Sequence, residues 1–213
     1  MAETRHEFGR LLAVYLPIAV AVLVVVLAAL AYVVVRFRHR PGRSVSRRTE
    51  APRAELAYVL VLAAIVAALV TVTFRRESRV DALAATPALR VAATASDWRW
   101  RFDYPAQGIT EIGPTADAPT DLYVPARQTI EFSLISLDVV HAFYIPYEDF
   151  QREAFPRFVN RFDLVFPTAG VRTSGSCNEF CGVGHTRMRF TVHVLAPAAF
   201  AAWVTQRRHA VGP

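Results

Sequence analysis

Two long stretches without a charged residue lie in the N-terminal third of the chain and restrict what it can fold into. Leu11 to Val35 runs for 25 residues, and Leu56 to Phe74 for 19, without Asp, Glu, Lys or Arg. As a helix rising ~1.5 Å per residue, either stretch is long enough to cross a hydrocarbon layer of ~30 Å. A chain of 213 residues has too little core to bury two such helices on every side. They read as transmembrane helices at about 11–35 and 56–74. A cleavable signal peptide needs only ~7–15 apolar residues followed by a small-residue cleavage site. The first stretch is longer and ends in Arg36, Phe37, Arg38, His39 and Arg40, so it is expected to be retained.

The net charge of +6 invites a nucleic-acid partner, and the placement of the charge argues against one. All 24 basic residues are Arg. Residues 1–76 hold 11 of them against Glu3, Glu7, Glu50 and Glu55, a net of +7, whereas residues 77–213 hold 13 against 14 acids, a net of −1. The basicity belongs to the helical anchor. Arg36, Arg38, Arg40, Arg43, Arg47, Arg48 and Arg53 crowd the short connection between the two helices, and short basic loops stay on the cytoplasmic side. The loop 36–55 is therefore expected in the cytoplasm, with both termini and the C-terminal domain on the outer, periplasmic side of a bacterial plasma membrane. Arg75, Arg76 and Arg79 pull the other way.

Residues 1–76 thus read as an anchor, and a polar, Ala-rich stretch at 77–89 reads as a linker. From Arg90 the pattern changes to short alternating segments: Ile130, Phe132 and Leu134; Phe162, Leu164 and Phe166; Phe190, Val192 and Val194. Turn residues separate them at Pro105–Gly108, Gly113–Pro119 and Pro167–Gly170. This is the pattern of an all-β sandwich or barrel over 90–213, and Pro197–Arg208 has the apolar spacing of a terminal helix.

The densest chemistry lies in Cys177-Asn178-Glu179-Phe180-Cys181-Gly182-Val183-Gly184-His185-Thr186-Arg187-Met188, which holds the only two Cys and the only internal Met. Thiolate, imidazole and thioether suit copper better than hard cations. The Cys pair alone would also fit a disulfide on an oxidising side of the membrane. A structural zinc site is less consistent with Met188, and a nucleophilic Cys–His pair with the second Cys nearby, which would tend to oxidise with the first. Upstream, His141 follows the strand of Ile130, Phe132 and Leu134. His6, His39, His193 and His209 read as surface or packed residues, with His193 facing solvent by its alternation with Val192 and Val194.

The Asp138-Val139-Val140-His141 segment and the Cys177–Met188 loop resemble the copper-binding motifs of cytochrome c oxidase subunit II, and the two helices resemble that family's anchor. The resemblance implies a membrane-anchored, cupredoxin-like β domain holding a dinuclear copper centre, CuA. Cys177 and Cys181 would bridge both coppers. His141 and Met188 would complete one, and His185 with the backbone carbonyl of Glu179 the other. The Glu179 carboxylate would be placed to hold magnesium against the haem–copper catalytic subunit, subunit I. In Asp97-Trp98-Arg99-Trp100-Arg101-Phe102-Asp103-Tyr104, Trp98 would receive electrons from a separate cytochrome c, since no Cys-x-x-Cys-His for a covalent haem occurs in the chain. Trp100, Phe102 and Tyr104 read equally as packed strand aromatics. Ala154-Phe155-Pro156 resembles another family segment, with Arg157 where relatives usually have Gly.

The implied role is the electron-accepting subunit of a respiratory oxidase that reduces oxygen to water and translocates protons. Asp138, Glu148, Asp149 and Glu153 are candidates to steer a basic cytochrome, and Glu55 is either a helix-start carboxylate or the mouth of a proton path. A quinol oxidase subunit would lack the ligands. A copper-containing nitric oxide reductase subunit, a membrane-tethered copper carrier and a structural protein with one disulfide are the alternatives left open.

Overall fold

The computed structural model describes residues 4–38, 50–96, 98–113 and 118–210. His39, Arg40, Arg43, Arg47 and Arg48 of the Arg-rich loop, Asp97, and positions 114–117 of the expected Gly113–Pro119 turn lie outside the described residues, as do the side chains of His6 and Arg79. The chain divides into two compact units, residues 8–77 and the remainder, chiefly 78–213.

The first unit is a pair of helices, α1 (Thr4–Arg36) and α2 (Pro52–Val80). Phe8–Arg36 and Pro52–Ser78, 29 and 27 residues, are long and apolar enough to cross a membrane. Between their charged ends the side chains are apolar and mostly exposed: Val25 is 67% exposed and Val34 69%. Hydrocarbon is the environment such a surface fits. The Tyr15 hydroxyl meets Thr73 Oγ1 and the Leu69 carbonyl across the hairpin. At the start of α2, Pro52 occupies the first helical position, where its missing N–H costs nothing. Glu55 Oε1 accepts from the Ala51 N–H at 3.0 Å, the geometry of a helix-start carboxylate. The helix does not stop at Phe74 with the apolar run. It continues to Val80, because Arg75, Arg76 and Glu77 are good helix formers that need no apolar surroundings.

The second unit is a sandwich of two five-stranded sheets. One is ordered β3 (Ile109–Ile112), β2 (Arg99–Tyr104), β1 (Leu89–Ser96), β5 (Thr129–Ser136), β8 (Asn160–Val165). The other is ordered β4 (Thr120–Pro125), β10 (Arg189–Leu195), β9 (Arg172–Cys177), β6 (His141–Ile145), β7 (Phe150–Ala154). Two pairings are parallel, β1 with β5 and β4 with β10, and the rest are antiparallel. Period-two alternation sends one face of each strand inward: Trp100, Phe102 and Tyr104 of β2, and Phe190, Val192 and Val194 of β10, are all buried. Phe143 stacks on Phe190 with centroids 4.7 Å apart, and Phe132 stacks on Phe162 at 5.3 Å. Phe143 also meets Trp100 at 5.6 Å and Phe132 at 5.7 Å on the opposite sheet, so this aromatic core joins the two sheets.

The two ends of the sandwich are closed differently. At the Tyr104 end, α3 (Pro197–Ala210) covers the β2–β3 turn. Its Trp203 lies 4.6 Å from the Tyr123 ring, Arg207 pairs with the buried Glu111 at 2.7 Å, and Arg208 donates to the carbonyls of Ala106 and Gln107. At the other end the segments 137–140, 155–159 and 178–188 converge, tied by Leu137 N–H to Ala95 O, Ser136 N–H to Phe155 O and Asn178 N–H to Ala142 O.

Candidate metal centre

His141 is the first residue of β6 and is fully buried. Its Nε2 lies 2.8 Å from Asp138 Oδ1. That oxygen also accepts from Ser136 Oγ at 3.0 Å and from the Val139 N–H at 2.7 Å, so the carboxylate has little freedom. With Nε2 engaged, His141 turns Nδ1 toward Cys177 Sγ at 3.8 Å. Cys177 ends β9 and is buried there, one strand over from His141, with Phe143 as its register partner. Cys181 Sγ lies 3.7 Å from Cys177 Sγ, and His185 Nδ1 lies 3.6 Å from Cys181 Sγ. Both thiols are free.

His141, Cys177 and Cys181 place their ligand atoms within 4.8 Å of one another. His141 approaches Cys177, and His185 lies against the sulfur pair, with its Nδ1 beside Cys181. Ligand atoms about 2.0–2.3 Å from an ion lie about 3.3–3.8 Å from each other in tetrahedral geometry, so these spacings admit a metal with little rearrangement. The backbone oxygen of Glu179 stands 3.2 Å from Cys177 Sγ, while the residue itself is exposed. Met188 is fully buried, and its carbonyl accepts the Cys177 N–H at 2.9 Å, which ties the far end of the loop back to its start.

The electrostatics favour one thiolate in the metal-free pair. Burial opposes ionisation of Cys177, but hydrogen bonds with His141, the backbone of Ala142 and Glu179, and His185 bring its thiol down to about 6. Burial and the neighbouring Cys177 push Cys181 up to about 12. Burial also opposes charge on His141, and hydrogen bonds to Cys177 and Asp138 outweigh it and raise its pKa. Two soft sulfurs and two imidazoles, with a thioether on the same loop, form a donor set that fits copper.

Trp98 sits where β1 turns into β2, half-buried, and donates from Nε1 to the Cys181 carbonyl at 3.0 Å. Trp100, Phe102 and Tyr104 are wholly inside the sandwich and belong to its core. Two expectations need correction. Glu148 is only 3% exposed, in a short 3-10 turn at 146–148, and so is withdrawn from any steering surface. His193 does not simply face solvent: it stacks on Tyr123 at 4.5 Å and bonds Asp121 Oδ1 at 2.7 Å. Arg157 adopts φ +64°, a conformation that Gly enters without strain.

The sequence model of the domain family described as cytochrome c oxidase subunit II, periplasmic domain, matches residues 114–195. That stretch contains every candidate ligand from His141 to Met188 and stops short of Trp98. Residues 114–195 belong to the cytochrome c oxidase subunit II family. A probable cytochrome c oxidase subunit 2 of Mycobacterium leprae is 38% identical over 104 residues, covering 46% of this chain and 29% of that protein. The chain thus spans less than a third of that relative's length. The cytochrome c oxidase subunit 2 of Cereibacter sphaeroides is 25% identical over 228 aligned positions, covering 91% of this chain and 73% of that one. Among solved structures, the periplasmic domain of subunit II of the Bradyrhizobium japonicum cytochrome oxidase superposes with a TM-score of 0.54 at 24% identity, covering 61% of this chain and all of that one. At that identity the likeness is one of fold, and the fold is the cupredoxin-like sandwich of subunit II. Ahead of the matched residues the chain has two helices long and apolar enough to cross a membrane, which fits a membrane-anchored subunit.

Proposed function

We propose that the chain is the electron-accepting subunit of a haem–copper respiratory oxidase in a bacterial plasma membrane. It takes electrons from a cytochrome c and passes them to haem in subunit I, where oxygen is reduced to water and protons are translocated. The observation that carries this reading is the pair of reduced, buried thiols 3.7 Å apart, each faced by one imidazole nitrogen at 3.6–3.8 Å.

In this reading Cys177, Cys181, His141, His185, Met188 and the Glu179 carbonyl would together hold a dinuclear copper centre. A dinuclear copper held there would supply a one-electron relay. The protein's own groups prepare the site. Asp138 fixes the ring of His141 so that Nδ1 points at the sulfur, as a carboxylate behind a metal-binding imidazole does. Both Cys177 and Cys181 would hold a metal as thiolates, giving up their protons to do so. The aromatic core beneath Cys177 keeps water from that side. Trp98, bonded to the Cys181 carbonyl, is where electrons arrive. The exposed Glu179 holds magnesium against subunit I. The division into an anchor at 1–76, a linker at 77–89 and a copper domain at 90–213 goes with this reading.

The test is single-turnover reduction of the assembled oxidase by reduced cytochrome c. In Cys177→Ser, haem reduction by cytochrome c is abolished while a small chemical reductant that reaches the haem directly still reduces it. Haem reduction by cytochrome c at the wild-type rate in that variant would overturn the role.

A further inference from the structure

Three features converge on Trp98. Its backbone lies in the left-handed region at φ +66°, which a bulky residue occupies only when its surroundings hold it there. Its indole N–H is committed to the Cys181 carbonyl at 3.0 Å. Its ring lies directly over two glycines of the thiolate loop. A Cβ at Gly184 would fall 2.2 Å from Trp98 Cγ and 2.3 Å from Cδ2, and a Cβ at Gly182, where φ is +111°, would meet Nε1 at 3.4 Å. The space the ring occupies exists because position 184 has no side chain.

We propose that Trp98, Gly182 and Gly184 form a clamp in which Trp98 is a positioning residue for the thiolate loop, seated on Gly184 and holding the Cys181 carbonyl, in addition to any role in receiving electrons. The clamp touches the loop immediately after one sulfur and immediately before one imidazole. Pinning the Cys181 carbonyl fixes the direction in which the Cys181 side chain leaves the backbone. Seating the ring on Gly184 fixes the approach to His185, whose Nδ1 faces that sulfur at 3.6 Å. The turn that follows is closed by His185 N–H to Gly182 O at 3.1 Å and Arg187 N–H to Gly184 O at 3.0 Å. None of these contacts involves a metal, so the clamp acts in the metal-free chain as well. Its consequence for a bound copper rests on the function proposed above. The indole N–H dipole points toward a carbonyl beside a copper-ligating sulfur, which favours the reduced, more negative state of the centre.

The experiment is amide hydrogen exchange at His185 and Arg187 in the metal-free full-length chain, followed by optical and EPR spectra and redox titration after copper loading. Trp98→Phe keeps a ring and removes the N–H. Losing one such hydrogen bond predicts roughly fivefold faster exchange at both amides, and the loaded variant titrates at a lower potential than wild type. Gly184→Ala drives the ring off its seat and predicts at least as large an increase. In a Trp98→Ala background the same Gly184→Ala change adds nothing, because the atoms it would strike are gone. Unchanged exchange in both single variants, or an equal Gly184→Ala effect with and without the indole, overturns the clamp. If Trp98→Phe loses protection at core amides such as Phe132 as well, the Gly184→Ala comparison across the two backgrounds decides. A wild-type chain that takes up no copper defeats the proposed function and leaves the metal-free exchange result to judge the clamp alone.

Discussion

Asp138 shows how a single residue sets the chemistry of its neighbour. Its Oδ1 gathers contacts from Ser136, Val139 and His141, so it is held by its own turn while it orients the imidazole. Asp138→Ala therefore predicts a loss of roughly 10- to 100-fold in copper affinity, measured by competition with a chelator of known strength. Unchanged affinity would mean that β6 alone aims His141. The candidate ligands were legible in the sequence because Cys and Met are rare in this chain and fall at fixed spacing in one loop. The Trp98–Cys181 contact was not, since 83 residues separate its ends and Gly-Val-Gly between Cys181 and His185 reads only as a turn. Glu148 carried the reverse lesson: an acid beside exposed acids in sequence reads as surface, and the 3-10 turn at 146–148 buries it.

At the scale of elements, the long helices and the strands with large alternating side chains were readable, because length without charge and period-two burial leave direct marks. β1 left a weaker one. Its inward residues include Ala93 and Ala95, too small to stand out, and its parallel pairing with β5 depends on segments about 40 residues apart in the chain. The close approach of β9 to β10 was hidden for the same reason. At Gly175 a Cβ would fall 2.0 Å from Phe190 Cζ, so the absence of a side chain there lets the Phe190 ring lie across the strand and stack on Phe143. Gly175→Ala predicts a loss of about 1–3 kcal/mol from overpacking, read as a lower thermal midpoint of the full-length chain in detergent. A midpoint equal to wild type would show that the Phe190 ring moves aside at no cost.

For the whole molecule, charge and chemistry are separated along the chain. The net positive charge lies in the first 76 positions, where 11 Arg stand against only four acids, and the rest of the chain is close to neutral. The aromatic core of the β domain carries the ligand-bearing loops at one end, while α3 closes the other. The balance of Arg and acidic residues along the sequence is enough to reveal that separation. The meeting of His141, from one strand, with the Cys177–Met188 loop was visible only through the family resemblance. Everything proposed for the molecule depends on what those sulfurs hold. The most direct test is the copper content of the full-length chain in detergent after loading, read together with its EPR spectrum. Two coppers per chain sharing one unpaired electron, with the signal lost in Cys181→Ser, is the predicted result. One copper per chain, or none with Cys177 and Cys181 joined as a disulfide, would contradict it.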